Sequence, residues 1–413
     1  MKLLILTQYY PPEMGAPQAR LSELATRFRA AGHTVTVLTA MPNYPTGKVF
    51  PAYRWKLRMS EELNGIRVVR TAIYPSKSAH AIPRLLSYFS FAFTCVAFGV
   101  WGLGRHDVVL FESPPLFLVP SGLLIGKAAR GRVIMNVSDI WPDLLERTGH
   151  MKPGLALRVM LALEKFGYRR SDVVAVTNPG AAQQLRDRFP GIAVTVISNG
   201  VDTTYFRPDL RSEAIRASLG AGPGDFLVGY CGLHGLMQGL EVVVKAAKRL
   251  ENDPRIRIVM IGDGPTKQML VGLAKELKVT NLAFHDVRPK KEIPAILSSC
   301  DASLVPLATR LPGTMPSKFY EALAAGTPPL IAKGCEAEPL VNQHGVGATF
   351  EPLDDAELAS AVRGLAAEPE RHRRMREQCV ALSKRFDRTV IAARTEKLLE
   401  AVAAGQALPD VPW

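Results

Sequence analysis

Short apolar runs of four to six residues recur along the chain, separated by stretches whose apolar positions repeat every three or four residues. The first such runs, Leu3 to Thr7, Thr34 to Leu38, Ile66 to Arg70, Val108 to Glu112, Arg132 to Val137, Val173 to Thr177 and Val194 to Ile197, predict buried parallel strands with helices between several of them. Ala19 to Ala31, closed by Gly32, is the first of those helices. A polar stretch after Ser198 to Asp202 (SNGVD) interrupts the series, which then resumes with Phe226 to Tyr230, Ile256 to Ile261, Leu282 to His285, Ala302 to Val305 and Pro329 to Ala332. The pattern predicts an α/β chain of two doubly wound, Rossmann-like domains, residues 1–204 and 205–387, with the helical stretch from Arg388 returning to the first. Ligands of such sheets bind beyond the carboxyl ends of the strands, so a cleft between facing strand ends is the expected site.

One segment stands out against that background. Gly313 to Ala332, GTMPSKFYEALAAGTPPLIA, places a helix start at Pro316 and Ser317 between two apolar strands. Free backbone N–H groups and the positive dipole end of that helix attract an anion such as phosphate. Lys318 adds a mobile charge there. Glu321, four residues after Ser317 and so near the same face, is placed to accept hydrogen bonds from two ribose hydroxyls. Taken alone, the segment also reads as an amphipathic helix packed through Phe319, Leu323 and Ala324 with Lys318 and Glu321 in solvent; the flanking strands favour the ligand reading. A second, weaker signal is YYPPEMGAP, where Gly15 precedes the first helix.

Composition narrows the class. At 413 residues with 47% hydrophobic and 22% charged, the chain has no low-complexity tract, and two domains are the simplest division. Its net charge of +13 lies almost wholly in residues 1–200, which carry 24 Lys and Arg against 12 Asp and Glu. That imbalance reads either as a merely solubilising surface or as a sign of an anionic partner, a lipid surface or a polyprenyl phosphate rather than nucleic acid, for which there is no stacking platform or recognised motif. Cys95, Cys231, Cys300, Cys335 and Cys379 have no CxxC spacing, which fits a reducing cytosol and excludes a disulfide framework or a cysteine zinc site. The N-terminal apolar run is too short for a signal peptide, so it reads as a first strand. The uncharged run Leu85 to Gly104 sits inside the βα series and is read as a helix that is either buried or lies in the membrane interface, anchored by Arg84 and Arg105. No Asp pair follows a strand as a metal site would need, and Asp354-Asp355 reads as a helix cap.

Several motifs in order, QYYPPEMGAPQAR, MPNYPTG, SPPLFL, SDIWPD, SNGVD, GLHGLMQGLE, IGDGP and PSKFYEALAAGTPPLIA, resemble the GT-B glycosyltransferases of family four across most of the chain. The likeness is greatest to bacterial O-antigen and capsule sugar transferases, including fucosamine transferases of the WbuB type. It implies a retaining transfer, without a metal or other cofactor, from a nucleotide sugar, most simply UDP-linked, to a polyprenyl-diphosphate-linked saccharide. An N-acetylamino sugar is one candidate donor, and the cytoplasm at the inner leaflet of the membrane is the implied location. By resemblance, Glu321 binds ribose, and Pro316, Ser317 and Lys318 hold the diphosphate. Gly15 lets backbone approach the donor, the segment at Val287 binds the base, and His234 and Gln238 occupy the turn facing the phosphates. Asp139 orients acceptor or sugar, or else caps its loop. Gly313 stands where the family carries a further glutamate, leaving Thr314 or backbone N–H groups for the sugar. His234 and Gln238 replace an Arg/Lys pair, and Ser138 replaces the Arg or His that precedes Asp139 in relatives. Arg20 is read either as a phosphate contact or as a solvated helix residue, and His33, His80 and His150 as structural. A UDP-sugar 2-epimerase on the same fold and a non-catalytic scaffold for lipid-linked sugar are the competing readings.

Overall fold

A computed structural model describes residues 1–13, 15–78, 80–140 and 154–410; Trp141, Pro142 and His150 lie outside them. The chain forms two compact units, Met1–Ser198 with Ile391–Trp413, and Asn199–Val390.

Unit 1 holds an eight-stranded sheet in the order β3-β4-β2-β1-β5-β6-β7-β8. The strands are β1 (Lys2–Leu6), β2 (Thr34–Ala40), β3 (Arg58–Leu63), β4 (Ile66–Thr71), β5 (Val108–Ser113), β6 (Arg132–Val137), β7 (Val173–Val176) and β8 (Val194–Val196). All pairs are parallel except β3 with β4. Successive side chains of β1 point to opposite faces, and both faces are covered. Leu4 and Leu6 join Phe91, Cys95 and Phe111 in one core, while Leu3 and Ile5 join Leu21, Phe28, Leu398 and Leu399 in the other. The last two come from the helix Arg388–Ala404, which supplies part of the unit 1 core from the far end of the chain.

Unit 2 holds a six-stranded parallel sheet in the order β11-β10-β9-β12-β13-β14. Its strands are β9 (Phe226–Cys231), β10 (Ile256–Ile261), β11 (Leu282–His285), β12 (Ala302–Val305), β13 (Pro329–Ala332) and β14 (Ala348–Phe350). The order reverses between β9 and β12, so the loops leaving β9, β10 and β12 cluster at the switch point where doubly wound sheets bind ligands.

The apolar run near residue 90 is a helix, Ala81–Ala97, with two distinct faces. Phe91 and Cys95 are wholly buried, whereas Ile82, Leu86, Phe89 and Phe93 are exposed at spacings of four, three and four. The buried face fits the core reading of this segment, and the other face is open to solvent. No described helix is long and apolar enough to cross a membrane.

Candidate functional site

In unit 2, the helix Ser317–Ala324 follows β12 and starts on Pro316, whose extended ψ of 126° turns the chain into the first turn. No side chain caps it, so its first N–H groups remain open. Phe319, Tyr320 and Leu323 bury the inner face, leaving Ser317 exposed and Lys318 and Glu321 half-buried. The Lys318 ammonium lies 5.5 Å from the centre of the Tyr230 ring at the end of β9. It also rests against Gly232, where a Cβ would come within 2.4 Å of Nζ. Among the described residues, neither Lys318 nor the Glu321 carboxylate has a hydrogen-bond or ion-pair partner. Burial pushes the Glu321 carboxyl above its ordinary range, while Lys318, Arg388 and Lys290 pull it back. A partnerless ammonium and carboxylate one helical turn apart form a receptive pair, unlike the solvated outer face that the amphipathic-helix reading predicts.

The turns after β9 and β10 meet that pair backbone to backbone. Gly262 (φ 145°) leaves no room for a side chain, since a Cβ would lie 1.9 Å from the Gly232 carbonyl oxygen, and at Gly264 (φ 154°) it would lie 2.4 Å from that of His234. The His234 N–H donates to the Asp263 carbonyl at 2.9 Å, and the Thr266 hydroxyl donates to the His234 carbonyl at 2.8 Å. The His234 imidazole is fully buried and stacks on Tyr230 at 5.7 Å, with neither ring nitrogen partnered among the described residues. Burial first, then the Lys267 charge, hold its pKa below the ordinary histidine value, with Asp263 opposing. Gln238 is half-buried at the end of the turn Leu236–Gln238. Val287, 66% exposed, follows β11 beside Asp286, whose carboxylate accepts from Lys267 Nζ at 2.7 Å. The Thr314 carbonyl accepts from the Glu336 N–H at 2.9 Å, and the Glu336 carboxylate accepts from the Gly313 N–H at 2.9 Å. The loop carrying Gly313 and Thr314 is thus held from Glu336, a tie the sequence reading missed.

In unit 1, Gly15 caps the helix Ala16–Ala30. Its φ of 178° suits any residue, and a Cβ there would meet only the flexible end of the Gln18 side chain, at 2.3 Å from Oε1, which can move aside. The preceding loop is fixed by buried Glu13, which accepts from the N–H groups of Asn43 (2.7 Å), Tyr44 (2.8 Å) and Tyr10 (3.3 Å). Arg20 is ion-paired rather than solvated. Its Nη2 donates to Glu112 Oε2 at 2.7 Å and to Ser138 Oγ at 3.1 Å, and Asn136 Nδ2 donates to the other Glu112 oxygen at 2.5 Å. A buried carboxylate at the end of β5 captures the guanidinium, which corrects the reading of Arg20 as a solvated helix residue. Asp139 follows β6; solvent reaches it, yet the protein packed around its carboxyl raises its pKa, with Arg20 pulling it back. Arg84 and Arg105 are both exposed, on the helix Ala81–Ala97 and in the loop before β5.

Residues 15–200 match the family described as "Glycosyl transferase 4-like domain", and residues 211–379 match "Glycosyl transferases group 1". The chain belongs to the group 1 glycosyltransferases. This transferase is 27% identical over 387 residues to the putative colanic acid biosynthesis glycosyl transferase WcaI of Escherichia coli K12, covering 88% of the chain and 91% of that relative. It is 25% identical over 434 residues to glycogen synthase of Mycobacterium tuberculosis, covering 99% and 97%. In fold it resembles sucrose-phosphate synthase of Thermosynechococcus elongatus (TM-score 0.73, 16% identity, 98% and 100% covered). It also resembles HepE of Anabaena in complex with UDP and glucose (TM-score 0.70, 20% identity, 97% and 100% covered). The architecture is GT-B.

Two groups in the transferase escaped the sequence reading because their partners are remote in the chain. Glu13 and Glu112 carry no local signal beyond an acid beside a strand end. His33 is read from the sequence as structural, but its Nε2 lies 2.6 Å from Glu396 and 3.9 Å from Glu400, with its Nδ1 3.2 Å from the N-terminal amine. Folding brings together residues 363 positions apart, and among the described residues this is the one His/Glu group with metal-ligand spacing.

Proposed function

We propose that the protein is a retaining glycosyltransferase that moves a sugar from a nucleotide diphosphate donor to a lipid-linked saccharide in cell-surface polysaccharide synthesis. The observation that carries the donor assignment is the pair Lys318 and Glu321, without a hydrogen-bond or ion-pair partner among the described residues, at an uncapped helix start beside the sheet's switch point. The diphosphate sits on the open N–H groups of Ser317 and Lys318, and the ribose hydroxyls donate to Glu321. Backbone near Val287 borders the base, and Gln238, Thr314 and the glycine turns complete the donor's surroundings. As the sugar–phosphate bond breaks, negative charge grows on the departing diphosphate, where Lys318 and the helix dipole stabilise it. The acceptor hydroxyl attacks from the leaving-group side, and a β-phosphate oxygen takes its proton. This charge stabilisation asks nothing of a metal.

UDP is the nucleotide we favour, supported by the UDP-bound neighbour of like fold. The colanic acid relative supports a surface-polysaccharide role. In unit 1, Asp139 is assigned to the acceptor or sugar, while Gly15 admits the helix start to the donor. The exposed stripe Ile82, Leu86, Phe89 and Phe93, with Arg84 and Arg105 nearby, supports peripheral binding to the inner leaflet, and by itself this face is where an amphipathic helix meets acyl chains.

Calorimetry with UDP, GDP, ADP and dTDP tests the donor site. One nucleotide should bind selectively, and Lys318→Ala and Glu321→Ala should each weaken it about tenfold or more, as expected for losing a charge-assisted contact. Folded wild type that binds none of them would sink the transferase reading in favour of a scaffold.

A further inference from the structure

Unit 1 contains a cavity of about 620 Å³ beneath the segment 47–57. Its walls are apolar, with Met41, Val49, Leu57, Ala72 and Ile73 among them, and Lys48, Arg54 and Lys56 line it as well. The size falls in the range of about 300–1,000 Å³ typical of small-ligand sites. Apolar walls with several cations and no carboxylate suit an amphiphile that has an apolar body and an anionic head. Between Met41 and Arg105 the chain carries nine Lys and Arg against two acids, Glu61 and Glu62, and Glu61 is already paired with Arg70.

Trp55, which also lines the cavity, is fully exposed and has a φ of 62°, a left-handed conformation that bulky residues seldom adopt. It stands between Arg54 and Lys56, the arrangement of an aromatic and its cations at a membrane interface. The cavity is tied to the exposed apolar helix through its own wall. The Thr94 hydroxyl donates to the Ala72 carbonyl at 2.5 Å, and the Tyr74 N–H donates to Ser90 Oγ at 2.8 Å. Arg58, next to Leu57, donates from Nη2 to the Trp101 carbonyl at 2.7 Å, and Trp101 is itself 70% exposed.

We propose that this cavity holds the isoprenoid chain of a prenyl phosphate lipid, with Lys48, Arg54 and Lys56 on the phosphate. This rests on the lipid-linked acceptor reading and gives the lipid end of the acceptor its own site, separate from the residues assigned to the sugar. The chain enters from the membrane, where the exposed face of the helix Ala81–Ala97 and Trp55 keep the opening at headgroup depth.

The test uses the full protein and geranylgeranyl phosphate below its micelle concentration, followed by calorimetry. Two variants probe the two halves of the site: Ala72→Phe fills the apolar part, and the exposed double change Lys48→Glu with Lys56→Glu reverses charge without touching a core. Saturable one-to-one binding is expected, weakened tenfold or more by either variant. Geranylgeraniol and inorganic phosphate should each bind at least tenfold less tightly than the probe. Absence of saturable binding, or equal affinity in wild type and the charge-reversal variant, overturns the proposal; so does geranylgeraniol matching the phosphate. Nucleotide binding is measured on the same samples. Its retention when prenyl phosphate fails to bind removes only the lipid site, and its absence while prenyl phosphate binds removes the transferase reading and leaves the lipid site standing. Ala72→Phe counts only if its melting temperature and nucleotide affinity match wild type, and the charge-reversal variant decides the matter otherwise.

Discussion

Gly232 and Gly262 lie against each other in the turns after β9 and β10, but they should respond differently to a methyl group. At Gly232 the obstacle is the flexible end of Lys318, so Gly232→Ala should cost about 1–2 kcal/mol of stability, mostly from its φ of 154°, and displace the ammonium. At Gly262 the obstacle is the Gly232 carbonyl, which cannot step aside, so Gly262→Ala should cost about 3 kcal/mol. Urea unfolding midpoints and nucleotide affinities measured together distinguish the two: Gly232→Ala should lose affinity out of proportion to stability. Glu321 offers a pH test. Burial raises its carboxyl, so the folded chain keeps that proton to higher pH than the unfolded chain does, and stability falls as pH rises from the ordinary glutamate range to the raised value. Glu321→Gln should flatten that part of the stability curve, with Glu13 and Asp139, shifted the same way, left to contribute the rest. Buried His234 and half-buried His285 act in the opposite sense: their lowered pKa values stabilise the fold above the ordinary histidine range, and this is lost as acid protonates the unfolded chain. Residue types and spacing made Lys318 and Glu321 legible in the sequence, because both sit on one helix. The Arg20, Glu112 and Ser138 network was not legible, since its members come from three separate elements.

Among elements, the buried parallel strands were readable because both faces are covered and the sequence is apolar without interruption. β3 was not: Arg58, Ser60 and Glu62 on one side and Glu61 on the other give it no apolar run. Its one signal was Asn64-Gly65, the two-residue hairpin turn with φ of 54° and 73° that joins it antiparallel to β4. The helix Ala81–Ala97 was legible as a helix, but which of its residues face solvent depends on the sheet beneath it. Replacing Ile82, Leu86 and Phe93 together with serine should leave stability within about 1 kcal/mol, because exposed positions contribute little to folding. Vesicle co-sedimentation of the same variant on anionic lipid should fall tenfold or more. Unchanged sedimentation would assign that face some other role.

Charge is a property of the molecule as a whole, and its distribution was fully visible in the sequence: 24 basic residues against 12 acidic in residues 1–200. Binding to vesicles of about 30% phosphatidylserine should therefore weaken steeply between 0.1 and 1 M salt, over which the screening length falls from about 10 to 3 Å. Nucleotide affinity, which the proposed site assigns to a half-buried lysine and a helix end, should change less over the same range. The sequence pattern already sends the helical stretch from Arg388 back to the first domain, and the structure shows how it closes the first unit, with Leu398, Leu399 and Val402 in the same core as Leu3, Ile5 and Phe28. That has a consequence for synthesis on the ribosome. Domains usually fold in the order they are made, but here residues 1–198 emerge with one layer of their sheet unfinished and must wait until residues 391–404 have been translated. The second unit, contiguous from 199 to 390, reaches its full sequence first. A nascent chain stalled near residue 390 should then give protease-resistant fragments from the later segment while the earlier one is still digested.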